Sequence, residues 1–137
     1  MSYRSYSFRG IGFDLERVEK EDIFAFFKKH EHSLPDDVRE AIMDVVNDED
    51  SDLYDLQCLS DVACVSEFVA DVMNAETGCE FDFMEGDCCE DAVIFPPRYP
   101  WEHQCERAVT REELIAIMNS YAGEFGLVVD TNMDIEC

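Results

Sequence analysis

Between positions 40 and 97 the chain carries seventeen Asp and Glu and not one Lys or Arg. A stretch like this folds only if its apolar residues are patterned tightly enough to leave the carboxylates in water. A buried, unpartnered charge would cost several kcal/mol, on the order of the whole stability margin of a domain. The required pattern is present. Val38, Ile42, Val45 and Val46 recur at helical spacing, as do Val62, Val65, Val69, Val72 and Met73. Cys79 to Met84 alternates apolar and polar residues, the period of a half-buried strand.

The flanks are less extreme. Residues 1–39 hold eight acids and seven bases, and residues 98–137 hold eight acids and three bases. The total is 33 acids against 10 bases, a net charge of −23. With 47% hydrophobic residues in 137, the composition is that of one globular domain spanning 1–137 and not of an acidic disordered tail. Direct nucleic-acid binding is excluded as an expectation, because phosphates would be repelled. An anionic membrane surface is an equally poor partner. No apolar run reaches the ~20 residues of a membrane-spanning helix. Met1–Arg9 has no apolar core of signal-peptide length, so a cytoplasmic location is expected.

The order of elements reads β-α-α-(short α)-α-β-β-α-β. A strand over 3–15 changes parity between Tyr6/Phe8 and Ile11/Phe13/Leu15, which predicts a bulge at Gly10 and Gly12. A helix over 19–30 buries Ile23, Phe24, Phe26 and Phe27. A second follows, capped by Ser33 with Pro35 in its first turn, and ends in the cluster from Asp48 to Asp52. Leu53, Leu56 and Leu59 suggest a short helical turn. Ser60 then caps a helix over 61–76 that stops at Gly78. Residues 79–84 and 92–95 form a hairpin across the acidic loop 85–91. Thr110 to Glu113 is a capping-box pattern that opens a helix through Tyr121. Leu127 to Val129 reads as a short buried strand. The expected fold is α+β: a small, mainly antiparallel sheet with about four helices packed on one side.

Seven cysteines, with no signal peptide, point to free thiols in a reducing compartment, with Cys64 and Cys79 in the core. His103 and Cys105 form a close pair with no second pair to complete a zinc site. His30 and His32 read as a polar helix end. Asp48, Asp50 and Asp52 match the opening of a calcium loop, but Leu53 and Leu59 stand where it needs Gly and Glu. No metal site and no cofactor is therefore assigned. Nucleophile-elbow, phosphate-loop and zinc-protease patterns are absent from the sequence, so no catalytic residue is assigned and an enzyme is not expected. Tyr99 and Trp101, between Pro97 and Pro100, read as a loop that plugs the side of the core, with an interface anchor as the alternative reading.

The informative residues are the acids themselves. Asp37, Glu40, Asp44 and Asp48 step by three, four and four, which places them on one helix face. A four-residue step advances ~6 Å along a helix, on the scale of neighbouring phosphates in one nucleic-acid strand. Glu49, Asp50 and Asp52 continue the row, Glu67 and Asp71 repeat it on the next helix, and Asp82, Glu85, Asp87 and Glu90 extend it along the hairpin. Together these residues form the expected partner-binding surface.

In its organisation, with the acidic block from Glu40 to Asp91 in a small single domain, the chain resembles phage-encoded anti-defence proteins. The likeness is above all to anti-CRISPR inhibitors that imitate nucleic acid. It is similar in the same way to bacterial immunity proteins that cap cationic nuclease toxins. The resemblance implies stoichiometric inhibition by occupation of a basic groove on a nucleic-acid-handling protein, in the host cytosol if the chain is phage-encoded. An acidic domain that binds divalent cations, and a halophilic housekeeping protein, are the readings from other classes.

Overall fold

The computed structural model describes residues 7–60, 64–84, 92–95 and 110–136. Among them lie five α-helices and a four-stranded antiparallel sheet, an α+β domain as the sequence predicts. β1 spans Ser7–Asp14, β2 Asp82–Met84, β3 Ala92–Phe95 and β4 Asp130–Glu136. Their order across the sheet is β2-β3-β1-β4. The helices are α1 (Lys20–Lys29), α2 (Asp36–Val46), α3 (Leu53–Gln57), α4 (Ser66–Thr77) and α5 (Arg111–Ala122). Single 3₁₀ turns at Glu31–Ser33 and Gly123–Phe125 follow α1 and α5.

The irregularity expected in β1 at Gly10 and Gly12 is present, while Tyr6 lies outside the described residues. Its pairing with β4 slips between Gly10 and Gly12, so the strand switches register where the glycines allow it. Beyond the slip, Phe13 lies opposite Val93 and Gly12 opposite Ile94. Directly paired residues share a sheet face. Ile11, Phe13 and Val93 therefore face the helices and belong to the main core with Phe26, Phe27, Ile42, Leu56, Val69 and Met118. Gly12, Ile94 and Asp82 point to the other face.

α4 is the central helix, packed on β2 and β3, while α5 packs on β1 and α2 on α1. Its position explains its composition: Phe68, Val69, Ala70, Val72 and Met73 are all buried. Two asparagines fasten helices to strands. Asn74 of α4 accepts from the Phe81 amide at 2.6 Å and donates to the Phe81 carbonyl at 3.0 Å, as a neighbouring strand would. Asn119 of α5 accepts from the Val129 amide at 2.9 Å just before β4.

Several expectations are corrected. Ser33 does not cap α2; Pro35 is the N-cap, and the Ser33 hydroxyl goes to Glu76 of α4. α4 begins at Ser66, not near 61, and Ser60 hydrogen-bonds the side chain of Glu67. Leu127 to Val129 is not a strand: Val128 is 82% exposed and β4 starts at Asp130. Cys79 is buried, as expected, but it is disulfide-bonded and not a free thiol. Thr110 does cap α5, its Oγ1 accepting from the Glu113 amide at 3.1 Å. The Tyr99–Trp101 loop and the pair His103 and Cys105 lie outside the described residues.

Candidate functional site

The acidic face of α2 is built by the helix's own periodicity. Ile42 and Val46 are buried on one side, so Asp37, Glu40 and Asp44 stand exposed on the other. The helix ends at Val46, which leaves Asp48 in the following turn instead of on the helix face. The one base in α2, Arg39, is turned away from this row. Its guanidinium donates to the carbonyls of Glu31 at 3.1 Å, His32 at 3.2 Å and Leu34 at 2.8 Å, and pairs with Asp36 at 3.0 Å. A cation amid the acids is thereby spent on closing the backbone of the preceding 3₁₀ turn.

The α4 acids join this face. Glu67 and Asp71 occupy the narrow strip of α4 left uncovered and are half-buried. Burial first, then the charges of Glu67 and Asp37, push the Asp71 carboxyl above its usual range. Asp37 of α2 and Glu67 of α4 each lie within electrostatic reach of Asp71, which links the α4 pair to the start of α2 along one seam.

The remaining sequence-predicted residues divide. Glu49 and Asp50 are exposed in the turn after α2. Asp48 accepts from the Asp50 amide at 3.0 Å. Asp52 caps α3, accepting from the Tyr54 amide at 3.0 Å, while Asp55 answers from the Asp52 amide at 2.9 Å. Asp48 and Asp52 therefore serve local backbone as well as surface charge. Asp82 is exposed, but its register with Ile94 and Gly12 puts it on the sheet face away from the helices. It does not belong to the surface of α2 and α4, and a single continuous patch linking them through Asp82 is not what the fold builds. Glu85, Asp87 and Glu90 lie outside the described residues.

A groove of about 410 Å³ opens between α1 and the end of α2. Lys20 and Lys28 line one wall, Asp48 and Glu49 the other, with Phe24 and Val46 at its floor. The Lys20 ammonium is already committed to the Ser51 carbonyl at 2.8 Å and lies 5.7 Å from the Phe24 ring centre.

Sequence reasoning missed a polar cluster on the far end of α4. His30 closes α1 as the expected polar helix end, but it is largely buried: its side chain is 11% exposed, with Nδ1 2.7 Å from Glu76 and Nε2 2.9 Å from Glu124. Phe26 flanks the ring at 4.4 Å between centres. Glu76 also accepts from Ser33 Oγ at 2.6 Å and from Tyr121 Oη at 2.8 Å, and Lys29 pairs with Glu124 at 3.3 Å. Burial alone would raise the Glu76 carboxyl, but donors from Ser33, His30 and Tyr121 together hold it below its usual range. Burial and the adjacent Glu76 push the Tyr121 phenol well above the usual tyrosine range, so it remains an O–H donor. The partners are 43 to 95 positions apart, so no local motif announces them.

Among the described residues no group of three or more His, Cys, Asp or Glu side chains is arranged to hold a metal ion. None of the described helices is long and apolar enough to cross a membrane. Comparison with protein-family models, curated proteins and solved structures finds no match.

Proposed function

We propose that the chain is a stoichiometric inhibitor that sets carboxylates where a partner expects phosphates, and that it binds without catalysing a reaction. The partner is a basic nucleic-acid-handling protein of the CRISPR-effector or defence-nuclease kind. One observation carries this reading: Asp37, Glu40 and Asp44 stand in one exposed row on α2, with Asp37 within electrostatic reach of Asp71 on α4, while Arg39, the base in that helix, is folded back onto carbonyl oxygens. Concentrated negative charge that costs stability through self-repulsion is retained where it steers and orients a cationic partner.

The α2–α4 seam is the proposed contact surface, with Glu49 and Asp50 at its margin and Asp82 outside it. The test is charge reversal. Glu40→Lys with Asp44→Lys should weaken binding to the partner by about 2–5 kcal/mol, the scale of misplaced charge at an interface. Asp82→Lys, on the opposite sheet face, should leave binding within a factor of about two. Equal loss from both variants, or none from the α2 pair, would sink the assignment.

A further inference from the structure

Three donors from three separate segments converge on one carboxylate at the C-terminal end of α4. Ser33 Oγ reaches Glu76 from the first 3₁₀ turn, His30 Nδ1 from the end of α1, and Tyr121 Oη from α5. Nothing in the proposed inhibitory surface uses them. An ionised carboxylate accepts from all three; a protonated one carries its own O–H and loses acceptor capacity. The other ring nitrogen of His30 faces Glu124 beside the second 3₁₀ turn, and Glu124 in turn pairs with Lys29. Those are the charged and titratable side chains recorded in hydrogen bonds or ion pairs around Glu76 and His30: Lys29 and His30 from α1 and its end, Tyr121 from α5, and Glu124 from the turn after it.

We propose that the Ser33–His30–Tyr121 cradle around Glu76 is an acid-release latch, which holds the 3₁₀ turn and α2 against α4 while Glu76 is ionised and frees them when it takes up a proton. The coupling to α2 is structural. Arg39 of α2 binds the carbonyls of Glu31, His32 and Leu34, so the turn that carries Ser33 and the helix that carries the acidic row are tied together. Releasing Ser33 and His30 from Glu76 therefore loosens the whole turn-and-helix unit.

The sign follows from the direction of the Glu76 shift. A carboxyl held below its unfolded value, about 4.3 for glutamate, contributes stability that is present above that value. The contribution is lost as pH falls through the folded value. Tyr121 stays protonated throughout, and its role is to donate.

The experiment is urea unfolding of the wild type and of Glu76→Gln at several pH values, on dilute protein because the sequence pI is about 4.1. Glutamine keeps the shape but not the charge. At pH 7 the variant should unfold at a urea midpoint lower by about 0.5–1 M, and the gap should close as pH falls below about 4. Protection of the Ser33 and Leu34 amides, measured against their intrinsic exchange rate at each pH, should fall in the wild type over the same acid range, and already be low in the variant at pH 7. Ser33→Ala and Tyr121→Phe each remove one donor and should each reproduce part of the gap, again only above about pH 4, so the test stands even if Glu76→Gln fails to fold. A midpoint unchanged by these substitutions at pH 7, or a gap that persists undiminished in acid, would overturn the latch.

Discussion

Gly12 lies where β3 and β4 press on β1 from both sides. A Cβ placed there would come within 2.7 Å of the Met133 sulfur and 2.8 Å of the Val93 carbonyl oxygen. The oxygen belongs to sheet backbone and cannot yield without moving β3. Gly12→Ala should therefore cost about 1–3 kcal/mol, the range for overfilling a packed site, measured as a lower urea midpoint with unchanged slope. Asn74 makes the opposite kind of contribution, supplying polar partners instead of space. With alanine there, the Phe81 amide and carbonyl lose the bonds that Asn74 makes to them, and the loss should be about 1–3 kcal/mol. Asn74→Asp keeps the acceptor toward the amide but sets a carboxylate oxygen against the Phe81 carbonyl oxygen, so it should cost at least as much as alanine.

At the scale of elements, α2 tests whether its charges serve the fold or something outside it. Neighbouring like charges at three- and four-residue spacing destabilise a helix by about 0.2–0.5 kcal/mol per pair. Glu40→Lys with Asp44→Lys should thus leave the melting temperature unchanged or slightly raised while abolishing function, a split between stability and binding that a purely structural row would not give. Most elements were legible because burial is periodic: α1, the core of α4, the hairpin strands and even the slip at Gly10 and Gly12 follow from which residues are apolar and at what interval. The element starts were less legible. Ser33 and Ser60 look like caps, yet each hydroxyl goes to a carboxylate side chain. Leu127 to Val129 looks like a strand, but Asn119 holds the Val129 amide, and the pairing with β1 begins only at Asp130 opposite Gly12. Asp37, Glu40 and Asp44 of the acidic row on α2 were readable from spacing alone, but the same spacing carried the row on to Asp48, past the end of the helix. Its junction with α4 was not, nor was the separation of Asp82, because both depend on how elements pack and pair. The Glu76 cluster was hidden for the same reason.

For the whole molecule, the net charge of −23 makes ionic strength the governing variable. Self-repulsion is screened over ~8 Å at 0.15 M salt, so added salt should raise the urea midpoint of the free protein. The same screening should weaken the complex, with affinity falling steeply as salt rises. Affinity that is flat across salt would indicate an apolar interface and remove the seam from consideration. If the α2–α4 surface occupies a site built for nucleic acid, nucleic acid should displace it. Wild-type protein is immobilised, loaded with host lysate, and eluted with duplex DNA at constant ionic strength. A nucleic-acid-binding protein should be retained, be released by the DNA, and fail to be retained by the Glu40→Lys, Asp44→Lys variant. A partner that the variant retains equally well, and that DNA does not displace, would contradict it.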